Sequence, residues 1–347
     1  MQAMNTTYQR TPQQPLPSGF GPTTTAAEAL AGRDLHGLTA IVTGGYSGLG
    51  LEETRVLAAA GAHVVVPART QDKARAALTT LQAEAQVELA AIDLLDPASI
   101  DRFAADFLAT GRPLHMLVNS AGIMAAPLVR DARGFESQFA ANHLGHFQLT
   151  QRLWPALLLA GASATGHSAR VVSVSSRGHR IAPMDFDDPH FLRRPYDRWQ
   201  AYGQSKTANA LFAVALDARG APHNVRAFSV HPGSILTDLA LHLSDDDLRA
   251  MGMTPGSAPG HVPEGLAAGA GGGGDYKTIA QGAATSVWCA ANLQLEGRGG
   301  VYCEDVDVAP LVGTDVARGA RGVRAWAADS EAGERLWLMS QEMTGGN

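Results

Sequence analysis

The stretch Thr39-Ala40-Ile41-Val42-Thr43-Gly44-Gly45-Tyr46-Ser47-Gly48-Leu49-Gly50 decides how this chain is read. Thr39 to Val42 is a short, apolar, β-branched run, which predicts a strand. Glycines follow at once, and Glu52 to Ala60 reads as a helix ended by Gly61. Glycine lets the chain turn tightly and brings peptide N–H groups against an anion, and a helix N-terminus adds partial positive charge. A strand that feeds a helix through such a turn predicts a dinucleotide pyrophosphate held at Gly44, Tyr46, Ser47, Gly48, Leu49 and Gly50. Ser47 could add a hydroxyl donor. The bland alternative is a Gly-rich turn without a ligand, and the strand–turn–helix setting weighs against it.

Downstream, apolar runs alternate with helical stretches. Strands are expected at His63–Val66, Leu89–Ile92, Met116–Val118, Arg170–Val174, Val225–Val230 and Val301–Cys303. Helices are expected at Gln71–Ala85, Ala98–Leu108, Phe135–Leu158, Tyr202–Arg219 and Thr278–Ala291, with an amphipathic closing helix at Asp329–Met343. Most strand runs are apolar on both faces, which predicts a parallel sheet covered by helices on both sides. The fold class is α/β: a doubly wound parallel Rossmann sheet in one domain, residues 35–347, with ligands beyond the carboxyl ends of the strands. Two long segments, about 178–200 and 236–276, interrupt the pattern. A segment as long as the second is expected to be a lid, a binding loop or partly disordered.

Of the residues, 45% are hydrophobic, enough for a sizeable core, and the net charge is −6 with no basic block. That weighs against nucleic acid or an anionic membrane as partner. Cys289 and Cys303 form no CxxC and are expected to be reduced thiols. Residues 1–34 read as a disordered or surface-draped tail. The first 22 are polar, rich in Gln, Thr and Pro, and hold no apolar run for a signal peptide or anchor, so a cytoplasmic location is the default expectation.

Further motifs carry a family resemblance. Thr43-Gly44-Gly45-Tyr46-Ser47-Gly48-Leu49-Gly50 has the spacing TGxxxGxG, and Asn119-Ser120-Ala121-Gly122 looks like NNAG with its second Asn replaced by Ser. Asn142 begins Asn-His-Leu-Gly-His-Phe; Ser175-Ser176 follows the fifth strand; Tyr202 and Lys206 make YxxxK; Pro232-Gly233 follows the sixth strand. In this order the chain resembles the short-chain dehydrogenase/reductase family, and within it the retinol-dehydrogenase-like and protochlorophyllide-reductase-like branch. The resemblance implies a catalytic set of Asn142, Ser176, Tyr202 and Lys206. It implies cofactor contacts at Asp93 and Leu94 (the adenine ring), at Asn119, Ala121 and Gly122, at Tyr202 and Lys206, and at Pro232, Gly233, Ile235 and Thr237. Asn142 would hold a water linking Lys206 to solvent. By analogy with the family's helix pairing, a homo-oligomer is implied. The membrane-anchoring N-terminal segment of some relatives is absent, which weighs against lipid-borne retinoid substrates.

Elementary chemistry points the same way. Tyr202 and Lys206 are one helical turn apart, and an ammonium beside a phenol favours the phenolate. Tyr202 would donate a proton to a carbonyl oxygen that receives hydride, or take one from an alcohol, while Ser176 bonds the same oxygen. At the end of the second strand Ala68 stands where NAD-preferring relatives carry Asp, and Arg69 follows, with Thr70 and Lys73 near. A carboxylate there bonds the ribose 2′-OH, whereas Arg accepts a 2′-phosphate, so NADP(H) is expected over NAD(H). His143, His146 and His231 lack metal-ligand spacing, so no metal is expected and packed imidazoles are the reading. Ile181, Phe186, Phe191, Trp199, Leu239, Leu243, Met251 and Met253 suggest a small, largely apolar carbonyl or alcohol substrate, or else simply pack the loops down. The rival functions are reduction of a carbon–carbon double bond and non-catalytic dinucleotide sensing.

Overall fold

The structure, a computed structural model, describes residues 8–163, 167–237, 239, 243–250, 256–262, 267, 276–316 and 319–345. In chain order its elements are α1 (Ala26–Ala29), β1 (Thr39–Val42), α2 (Gly48–Ala59), β2 (His63–Ala68), α3 (Gln71–Glu84), β3 (Val87–Ala91), α4 (Pro97–Ala109), β4 (Met116–Asn119) and α5 (Ser137–Phe139). There follow α6 (Gly145–Arg152), α7 (Trp154–Gly161), β5 (Ala169–Val174), α8 (Arg198–Gly220), β6 (Val225–His231), α9 (Asp245–Ala250), α10 (Ile279–Gly282) and α11 (Ala284–Ala291). Last come β7 (Val301–Glu304), β8 (Asp307–Val308), β9 (Leu311–Val312), β10 (Val323–Arg324) and α12 (Ser330–Thr344).

Eight strands form one sheet in the order β3-β2-β1-β4-β5-β6-β7-β8. Every pairing from β3 to β7 is parallel, and β8 runs antiparallel to β7. The order reverses between β1 and β4, so the crevice of a doubly wound sheet opens at the ends of those strands. There Val42 lies opposite Val118, which sets Thr43 beside Asn119. Side chains alternate across the sheet, as strand geometry requires. Ala40, Val42, Val64 and Val66 join Leu57, Val287 and Trp288 under α2 and α11. Ile41 and Val65 join Phe103, Phe147, Phe212 and Trp337 on the other face.

The folded pattern begins before Leu35. Thr25 caps α1 in a reciprocal box with Glu28, and Ala26, Ala29 and Leu30 belong to the core under α2 and α11. Ahead of α1 the chain runs across the body, tied by polar contacts. Tyr8 Oη donates to Asp217 at 3.0 Å, and Arg10 donates to the carbonyls of Gly300 (2.8 Å) and Ala328 (2.6 Å). Gln13 donates to the carbonyls of Tyr302 and Ala309 and accepts the Tyr302 N–H.

Helix boundaries differ from the sequence expectation where backbone chemistry intervenes. The single helix expected over 135–158 is three pieces: α5, a π-turn at Ala140–Leu144 leading into α6, and α7. Pro155 lies in the first turn of α7 and has no N–H to continue the ladder from α6. The helix expected over 278–291 breaks at Ala283 into α10 and α11. In the 236–276 segment, α9 is anchored by Asp247, which receives Arg198 of α8 at 2.7 Å. Met251, Met253 and the run Gly271 to Gly274 lie outside the described residues.

Candidate active site

The glycine turn is built by close approach. Gly44 and Gly48 have φ of +69° and +51°, where a side chain would be strained. A Cβ on Gly44 would stand 3.1 Å from Ala121 Cα, and one on Gly50 only 2.4 Å from the Gly44 carbonyl oxygen. The turn is therefore packed on the 119–122 segment with no room for side chains. Ser47 precedes α2 without its side chain capping the helix. The first N–H groups of α2 have no carbonyl partner within the helix and face outward. That donor set fits a pyrophosphate.

Thr43, quoted in the motif but given no role, ties the two segments together. Its Oγ accepts the N–H groups of Ser120 (2.9 Å) and Ala121 (3.1 Å) and meets His146 Nε2 at 2.9 Å. His146 Nδ1 in turn lies 3.0 Å from the Asn142 carbonyl. Burial pulls the His146 pKa down to about 4, so a neutral ring donates at Nδ1 and accepts the Thr43 hydroxyl at Nε2. The loop after β6 covers the same turn: Thr237 would be 3.4 Å from a Cβ on Gly48, and Ile235 and Leu49 both crowd Gly282. Gly233, at φ +102°, leaves its Cβ position to the Lys277 side chain, which pairs with Asp305 at 2.6 Å.

Deeper in the crevice, the two serines after β5 diverge. Ser175 Oγ is buried and donates to the Lys206 carbonyl at 2.6 Å. Ser176 Oγ accepts the Gly178 N–H at 3.0 Å and lies beside the Tyr202 ring, both within 3.4 Å of where a Cβ on Gly178 would stand. Tyr202 and Lys206 lie one turn apart on α8, both buried. Lys206 Nζ donates to the Val174 carbonyl at 2.9 Å and sits 5.6 Å from the Tyr202 ring centroid. The sequence predicts a phenol drawn down by this ammonium. In the structure burial pushes Tyr202 up to about 12, with the nearby Ser176 hydroxyl opposing it. Burial lowers the pKa of the Lys206 ammonium itself to about 8.

Asn142 lies in the π-turn, a helical irregularity frequent at functional sites. Its Oδ1 accepts the Ile123 N–H at 2.8 Å, and its Nδ2 donates to the Ile123 carbonyl and to Ser205 Oγ. A Cβ on Gly122 would stand 3.0 Å from Asn142 Oδ1 and 3.6 Å from Lys206 Nζ. Asn119 donates to Thr150, and its Oδ1 is buried without a partner among the described residues. Gly145 explains itself: a Cβ there would meet the Leu94 carbonyl at 2.4 Å. Asp93, half-buried, accepts the Leu95 N–H within its own loop.

At the far end of the crevice, Ala68 is buried and Arg69 exposed, with no hydrogen bond from Arg69 to another described side chain. Gln71, a residue the sequence did not mark, ties β2 to β3 by donating to the carbonyls of Ala68 and Ala90. His143 is a packed imidazole bonded to Ser340 of α12. Among the described residues no group of three His, Cys, Asp or Glu is placed to hold a metal. The loop aromatics divide. Phe191 is buried against Tyr196 and Arg194, and Phe186 lies under Arg335, so both pack the 178–200 segment. Trp199 stands edge-on to Tyr202 at 6.4 Å and faces the site.

Comparison with known proteins agrees with this geometry. The short chain dehydrogenase family matches residues 38–248. A probable oxidoreductase of Streptomyces lividans is 46% identical over 311 residues, covering 88% of this chain and 96% of that protein. The chain belongs to the short-chain dehydrogenase family. Mouse polyprenol dehydrogenase is 37% identical over 319 residues, 89% of this chain and 84% of its own length. Among solved structures, a putative uncharacterized protein of Mycobacterium paratuberculosis superposes with a TM-score of 0.67 at 30% identity, covering 93% of this chain and 98% of its own. As a short-chain dehydrogenase the protein is an oxidoreductase that works with a nicotinamide dinucleotide. No described helix is long and apolar enough to cross a membrane.

Proposed function

We propose that this short-chain dehydrogenase interconverts a ketone or aldehyde and an alcohol, with NADP(H) as the hydride carrier and Tyr202 as the acid/base. One observation carries the reading: Ser176 Oγ and the Tyr202 ring meet at Gly178, where a Cβ would stand 3.4 Å from the one and 2.7 Å from Cε1 of the other, so a single substrate oxygen can meet both hydroxyls. In reduction, Tyr202 donates its proton to that oxygen while Ser176 bonds it, and the bound nicotinamide supplies the hydride. Lys206 keeps an ammonium beside Tyr202, and Asn142 braces the 123 segment against α8. The pyrophosphate would rest on Gly44–Gly50 and the 2′-phosphate against Arg69, whose guanidinium is exposed at the strand end. A tyrosine–serine pair acting on one oxygen suits a carbonyl better than a carbon–carbon double bond. The mouse relative, a polyprenol dehydrogenase, acts on an alcohol, which points the same way.

Hexanal, 2-octanone, cyclohexanone, benzaldehyde and an α,β-unsaturated ketone, each with NADPH or NADH, would test the reading by cofactor absorbance and product analysis. Alcohol products formed faster with NADPH are expected. Saturated ketone as the sole product of the unsaturated probe would overturn the carbonyl assignment.

A further inference from the structure

The peptide group joining Ser176 to Arg177 is gripped on both edges by imidazoles. Its carbonyl oxygen lies 2.7 Å from His179 Nδ1 and also accepts the His179 backbone N–H at 3.0 Å. Its N–H donates to His231 Nδ1 at 3.1 Å. His179 belongs to the single turn Arg177–Arg180, and His231 is the last residue of β6, the strand beside β5. The partners fix opposite tautomers. His179 must carry its hydrogen on Nδ1, because its Nε2 accepts the Arg324 N–H at 3.2 Å. His231 must leave Nδ1 bare and carry its hydrogen on Nε2.

Both rings are buried and neutral. Burial takes His179 down to about 3 and His231 well below its ordinary value, with the cations Arg177, Lys277 and Arg180 adding to the effect on His231. A protonated His231 would set an N–H against the Arg177 N–H and break the grip.

We propose that His231 and His179 are positioning residues of the site: they fix the plane of the Ser176–Arg177 peptide and so aim the Ser176 hydroxyl at Tyr202. The inference rests on Ser176 and Tyr202 being the reacting pair. The physical reason is that the plane of a peptide sets ψ of the residue before it, and hence where that residue's Cβ and hydroxyl point. A site that must hold an oxygen to within a fraction of an ångström needs such supporting bonds.

The variants His231→Asn and His231→Leu separate aiming from packing, since an asparagine amide oxygen can replace Nδ1 as acceptor and leucine cannot. Amide hydrogen exchange at Arg177 reads the bond directly, without any substrate. It should speed by about tenfold or more in His231→Leu, the consequence of losing a buried hydrogen bond, and stay near wild type in His231→Asn. Turnover of the fastest carbonyl among hexanal, 2-octanone, cyclohexanone and benzaldehyde should fall about tenfold or more in His231→Leu. KM and the NADPH dissociation constant should hold, and His231→Asn should recover most of the rate. Wild-type exchange at Arg177 in His231→Leu, or rate and NADPH affinity falling together, would overturn the proposal. If leucine at 231 prevents folding, His179→Asn, which keeps a donor, and His179→Leu, which does not, pose the same contrast. Ser176→Ala is measured alongside. Full activity in Ser176→Ala would remove the proposed function and this inference together, whereas a slow Ser176→Ala beside a fast His231→Leu would remove only the inference.

Discussion

Glu53 should make the protein less stable as pH rises from about 4.5 to about 7, and Glu53→Gln should abolish that loss. The side chain is fully buried on α2. Burial raises its pKa from 4.5 to about 7, with the Ser286 and Ser120 hydroxyls offsetting part of the rise. Neither carboxylate oxygen completes a well-formed hydrogen bond to a described residue. Between pH 4.5 and 7 the folded chain holds this proton while the unfolded chain has lost it, so stability falls with rising pH and levels off above 7. A difference of roughly 2.5 in pKa is worth about 3.5 kcal/mol at about 1.4 kcal/mol per unit. Glutamine copies the neutral acid in shape and cannot ionise. Urea unfolding at pH 5 and pH 8 would show the stability of Glu53→Gln relative to wild type widening by about 2–3 kcal/mol in favour of the variant. The buried imidazoles His143, His146, His179 and His231 titrate in both proteins and cancel in the comparison. A variant less stable than wild type at pH 8, or a gap independent of pH, would refute the argument. Cofactor affinity should change little, because Glu53 lies behind the glycine turn rather than in it.

Tyr202→Phe removes the proton donor and Lys206→Ala the neighbouring cation; each should lower turnover by at least ~10²-fold with the fold intact by circular dichroism. Arg69→Ala should raise the NADPH dissociation constant roughly ten- to a hundredfold and leave NADH nearly unchanged in fluorescence titration. Equal weakening of both would end the NADP assignment. Gly50→Ala drives a Cβ to 2.4 Å from the Gly44 carbonyl, so NADPH binding should be lost before the fold is, with calorimetric titration as the check. Arg10→Ala removes two buried-end hydrogen bonds to Gly300 and Ala328 and should cost about 1–3 kcal/mol in urea unfolding, with kcat unchanged.

What the sequence made legible was what local rules control. The glycine turn, the apolar runs of the parallel strands and the four-residue spacing of Tyr202 and Lys206 each need only neighbours in sequence to be recognised. The docking of residues 8–34 needs none of those signals: Arg10 and Gln13 bond to backbone carbonyls of a strand and a turn, which any polar side chain could do. The π-turn at Asn142 follows from how α5 and α6 meet α8, not from a propensity. At the β7–β8 turn, Asp305 and Val306 take φ of +53° and +60°, which no residue preference predicts for valine. His231 was visible as a histidine between a strand and Pro-Gly, yet its tautomer and its partner depend on β6 lying beside β5. A strand assignment extended one residue would have set it next to the serines. The rival reading of Phe186 and Phe191, that they pack their loop, was the one the structure favours, because a charge stacks over each ring.

The N-terminal segment sets a constraint on how the chain can be made. Arg10 reaches a partner 290 residues away and Gln13 one 289 residues away. On a ribosome those residues emerge 290 and 289 residues before their acceptors on β7 and the turn before it. The domain's own sheet can form from β1 onward, as vectorial synthesis favours, but residues 8–34 must wait in solvent, the apolar Leu30 and small-residue α1 uncovered, until α11 and β7 have been made. Contacts of such separation are slow to close. Residues 8–34 therefore find their place only after chain made much later has folded, and the domain is fastened by a segment far older than the strand it grips.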